Sequence, residues 1–80
     1  MNSENDRAIR LKVEELSSVV RNATSFSDIE LGEAIHDRMG DTLKQGEFWL
    51  KQGNPSRFLY DLEDLICWIK KLVESHKNKS

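Results

Sequence analysis

GNPSRFLYDLEDLICWIKKLV, residues 53–73, holds the sharpest break in the chain and its most regular apolar repeat. Gly53 suits the left-handed position just past a helix end, and Asn54 is a good N-cap. Pro55 fits the first helical position, where its missing N–H has no partner to lose. Behind this punctuation Phe58, Leu62, Leu65, Ile69 and Leu72 recur at spacings of four, three, four and three, and Ile66 and Val73 widen the stripe. The stretch reads as a tight reversal between two long antiparallel helices, the second of which is the core element. Residues 75–80 read as a polar tail that frays.

Upstream of the reversal, Ser27 reads as an N-cap, Glu30 closes a capping box and Phe26 is placed to staple onto Leu31. From there Leu31, Ile35, Met39, Thr42, Gly46, Trp49 and Leu50 keep to one broad face, which predicts a single helix to about Gln52. That helix runs through Gly40 and Gly46, each costing about 1 kcal/mol relative to Ala. The alternative is a break at Gly40 with Asp41 capping a fresh helix. Gly46 on the inner face has a purpose, since a missing side chain lets a neighbouring helix approach.

The first helix is expected from near Ser3, whose hydroxyl can cap it with Asp6 answering three residues on. Its stripe is Ile9, Val13, Leu16 and Val20, with Val19 and Ala23 at the margins and Leu11 on the far side. Asn22 to Ser27 ends it softly. The fold expected is all-α: a small antiparallel three-helix bundle whose second and third helices form a long hairpin, as one domain over residues 1–80.

A chain of 80 residues buries only about 60% of the surface its unfolded form exposes, so self-association would add needed stability. With 38% hydrophobic and 32% charged residues the composition is that of a globular domain. No apolar run approaches the roughly 20 residues of a membrane span, and Met1 to Arg10 has no signal-like apolar region. Cys67, the only cysteine, has no internal disulfide partner. The expectation is a cytoplasmic protein that does not engage membranes.

The net charge of −2 argues against nucleic-acid binding, which leans on an excess of Lys and Arg. Residues 28–53 carry six acids against three bases, whereas residues 54–80 carry four against five. Early acids and late lysines in the third helix suit its dipole. A helical-hairpin dimer on RNA is the minority alternative, and it lacks a basic stripe.

Catalytic and cofactor motifs are wanting. Glu33 and His36 form one E-x-x-H pair, but a di-metal bundle needs a second pair and two further glutamates. His76 has no acidic or cysteine partner at ligand spacing. Cys67 faces Glu63, Lys70 and Lys71 on the wheel, with no histidine to act as base. Neither a phosphate-binding nor a dinucleotide-binding glycine motif occurs. The expectation is a non-enzymatic protein with no cofactor and no metal.

What the core leaves over is aromatic. Phe48 projects away from the Ile35 and Gly46 face, Tyr60 and Cys67 lie one heptad apart on the outer side of the third helix, and Trp68 flanks them. Such residues typify interface anchors. The expected function is a small protein-binding regulator, inhibitor or immunity-type protein. Phe48, Tyr60 and Trp68 are its candidate anchors, and Asp37, Asp41 and Asp64 supply charge. The alternative is a structural homo-oligomer, expected to be a dimer, whose aromatics serve only its own seam.

Overall fold

The reversal at Gly53 sets the architecture. In the computed structural model, which describes residues 3–25 and 28–79, the chain forms three helices: α1 (Ser3–Thr24), α2 (Ile29–Lys51) and α3 (Pro55–Lys79). Gly53 takes a φ of +74°, a conformation that costs glycine nothing. Its N–H donates to the Leu50 carbonyl at 3.1 Å, and the Asn54 N–H donates to the Trp49 carbonyl at 2.8 Å. This pair of bonds is a Schellman motif, and it satisfies two carbonyls that the end of α2 would otherwise leave open.

α3 packs on both other helices, while α1 and α2 touch each other far less. The result is a small all-α bundle with dimensions of 47 × 19 × 15 Å. Its centre is the heptad stripe of α3: Leu62, Leu65 and Ile69 are essentially sealed from water, together with Ile35 of α2. Phe58, Ile66 and Val73 extend this core, and Leu72 packs at its edge.

α2 is continuous through both interior glycines, and the alternative break at Gly40 does not occur. Gly46 is buried beneath Phe58, and a Cβ there would overlap the phenylalanine ring. The close approach of α2 and α3 thus rests on the absence of one side chain.

Several local expectations are corrected. The N-cap of α2 is Asp28, in an extended conformation with φ −99° and ψ 112°, and its carboxylate accepts the Leu31 N–H at 3.1 Å. The carboxylate reaches the third helical residue and also complements the positive end of the helix dipole. Glu30 consequently falls one position short of closing a capping box. The Ser27 cap, the Phe26 staple and the Ser3 hydroxyl lie outside the described atoms.

α1 is rotated relative to the predicted stripe. Leu16 and Ala23 are its buried residues, Ile9, Val19 and Val20 pack around them, and Val13 is exposed. Leu50, read as inward-facing, is also exposed. The segment read as a polar tail continues α3 as far as Lys79. There His76 finds the acidic partner its sequence spacing did not reveal: Nδ1 lies 3.3 Å from the Asp28 carboxylate, which joins the end of α3 to the start of α2.

Candidate protein-binding face

The tight turn aligns α2 and α3 side by side, so residues far apart in sequence meet across the hairpin. Near the turn, the Trp49 indole Nε1–H donates to Asp61 Oδ2 at 3.0 Å. Phe48 meets Trp49 edge-on with ring centres 5.1 Å apart. The Arg57 guanidinium sits 5.3 Å from the centre of the Trp49 ring and 6.0 Å from that of Tyr60. One station of the face is therefore an arginine held between two aromatic rings.

Further along the hairpin, Arg38 lies 4.9 Å from the centre of the Trp68 ring, and its Nη2 is 3.7 Å from Asp64 Oδ2. Both partners of that ion pair are well exposed, so solvent screens it and its contribution to stability is small. Its effect is positional: it holds a carboxylate and a guanidinium at the rim of a cleft. That cleft, about 330 Å³, is lined by Arg38, Asp41, Thr42, Gln45, Asp61, Asp64 and Leu65. Three carboxylates and one cation leave it net negative, and one Asp61 oxygen is already occupied by the Trp49 indole.

Of the six expected site residues, Asp41 and Asp64 converge on this cleft, with Trp68 beside Asp64 through their shared Arg38. Phe48 and Tyr60 are exposed, at 49% and 67%, and both belong to the station at the turn. Trp68 is half-buried and packs on the core beneath Arg38, so it offers an edge and not a projecting anchor. Asp37 is exposed on α2 and does not line the cleft.

Arg38, Arg57, Trp49 and Asp61 complete the face and were not singled out in the sequence. The Trp49–Asp61 bond spans the turn, so only the geometry of the reversal brings its partners together. Arg57 lies three positions before Tyr60, a spacing too common to stand out, and Arg38 is far in sequence from Trp68.

Cys67 is exposed and shares a shallow hollow with Tyr60, Glu63 and Asp64. Reactive cysteines sit in electropositive surroundings, whereas two carboxylates line this hollow. Glu33 and His36 are both exposed on α2. Among the described residues no cluster of three His, Cys, Asp or Glu side chains is placed to hold a metal ion, and no helix is long and apolar enough to cross a membrane.

No protein-family model, curated protein or solved structure matches the chain. The chemistry of the surface is therefore the guide to function. The acidic cleft flanked by aromatic edges presents hydrogen-bond acceptors and flat apolar area.

Proposed function

We propose that this is a small cytoplasmic, non-enzymatic binding protein of the regulator, inhibitor or immunity type, and that it takes a basic segment of another protein along the α2–α3 cleft. The observation that carries the reading is the convergence of Asp41, Asp61 and Asp64 on one cleft, between exposed aromatics at one end and Trp68 at the other. A Lys or Arg of the partner is attracted by the net negative cleft, and Phe48 and Tyr60 supply apolar area that water solvates poorly. Aromatics with arginine at the centre and charge around them are the usual composition of an interface hot spot. Electrostatic complementarity of this kind mainly accelerates encounter and fixes orientation.

The test is capture of a partner by the wild-type chain and by Asp41→Asn/Asp64→Asn, with helical content compared by circular dichroism. Both substituted positions are exposed, so the fold is retained. Binding that survives in the double variant at the same affinity overturns the reading. Loss of binding on this substitution, and on Phe48→Ser/Tyr60→Ser, supports it.

A further inference from the structure

The largest apolar exposure lies away from that cleft, on the opposite side of α2. Ile29 is 78% exposed, Leu50 46% and Leu43 42%, and helical spacing puts all three on one line some 32 Å long. Beside this line α1 contributes Val13 and Val20, which with Met39 and Leu43 border an apolar hollow of about 380 Å³ between the two helices. α1 and α2 do not close over it.

Two glycines share the same line. Gly32 and Gly40 have no atom within 4 Å of where a Cβ would stand, unlike Gly46. Each gives up about 1 kcal/mol of helix propensity relative to Ala, and no contact among the described residues explains the concession. A second helix approaching closely does explain it.

We infer that this face of α2 binds a second copy of the same chain, antiparallel, about a two-fold axis passing between Met39 and Gly40. In that register the apolar ends of the line meet each other. Ile29 of one copy lies opposite Leu50 of the other, and His36 lies opposite Leu43. Gly32 lies opposite Glu47, where the absent side chain leaves the carboxylate room to reach water. Gly40 falls at the crossing point, where two helices come nearest.

Charge selects the same arrangement. The flank of the line turned away from α1 carries Glu30, Glu33 and Asp37 in its first half and Lys44 and Lys51 in its second. An antiparallel copy sets Glu30 near Lys51 and Asp37 near Lys44, twice each by symmetry; a parallel copy sets like against like. Opposite charges on adjoining flanks are how paired helices choose orientation. A two-fold contact must be self-complementary in this sense. The acidic cleft on the α3 side remains free in the dimer, so this inference and the proposed partner binding stand or fall separately.

The experiment is sedimentation velocity on the full chain over a dilution series up to millimolar concentration, with reductant. The wild type is expected to dimerise reversibly, and Leu43→Asp is expected to raise the dissociation constant roughly thirtyfold or more while keeping its helical signal. Glu30→Lys and Lys51→Glu, both at exposed positions, are each expected to weaken self-association. An equimolar mixture of these two variants should recover a heterodimer, because each repairs the other's repulsion. The weakening of each variant alone marks the antiparallel register, since a parallel pair sets like against like already in the wild type. A chain that stays monomeric throughout, or a dimer indifferent to Leu43→Asp, overturns the inference. So does a mixture that fails to pair, or a dimer lost on Phe48→Ser/Tyr60→Ser in place of Leu43→Asp.

Discussion

The two sides of α2 use the same residue types to opposite ends. On its inner side Leu31 and Ile35 are buried against α3, and Gly46 is there because Phe58 occupies the space its side chain would need. On its outer side Ile29, Leu43 and Leu50 stand in water, and Gly40 faces nothing. A glycine repaid by close packing and a glycine with no return look identical in sequence. The difference teaches that a glycine's meaning lies in what the tertiary structure places against it, and the wheel alone does not supply that.

Substitutions along α2 sharpen this contrast. The largest effect is expected inside: Ile35→Ala removes a side chain that is 1% exposed and leaves a cavity among α3 residues. It should cost about 2–5 kcal/mol, measured by urea unfolding, a large share of the stability of so small a domain. A cost near zero would mean that α2 is only loosely docked.

Next comes Gly46→Val, which forces a side chain into the Phe58 ring. Overpacking of this kind costs about 1–3 kcal/mol, and the same unfolding measurement reads it. The smallest effect is expected at the other glycine and has the opposite sign. Gly40→Ala should raise the stability of the monomer by up to about 1 kcal/mol, because the added methyl meets nothing and the helix gains propensity. Thermal unfolding at low protein concentration isolates that gain from any change in association. If Gly46→Val stabilised and Gly40→Ala destabilised the monomer, the two sides of the helix would be assigned the wrong way round.

Much of this was legible beforehand. The four-three repeat from Phe58 to Leu72 made α3 the core, and Gly53, Asn54 and Pro55 placed the reversal, because helix stops and starts are local chemistry. The purpose of Gly46 followed from its place on the same face as Ile35. The cap of α2 was displaced by one residue, since Ser27 and Asp28 are both competent caps and only the path of the chain chooses between them. Phe48 and Tyr60 were recognised as surplus, and Asp41 and Asp64 as charged neighbours, from the helical wheel alone. Asp61 and Trp49 were not joined, because their bond crosses the turn.

Sequence by itself determined that there are three helices, where the reversal between the last two falls, and which stripe of α3 is buried. These follow from short-range rules: the spacing of apolar residues, the caps, and the residues that tolerate a positive φ. The tertiary structure alone decided which way α1 and α2 are rolled about their own axes. A wheel gives the angles between residues of one helix but not the direction of its neighbours, so Val13 and Leu50 turned outward while Ala23 turned in. That rotation, set by how both helices seat on α3, created the acidic cleft on one side of α2 and the apolar line on the other.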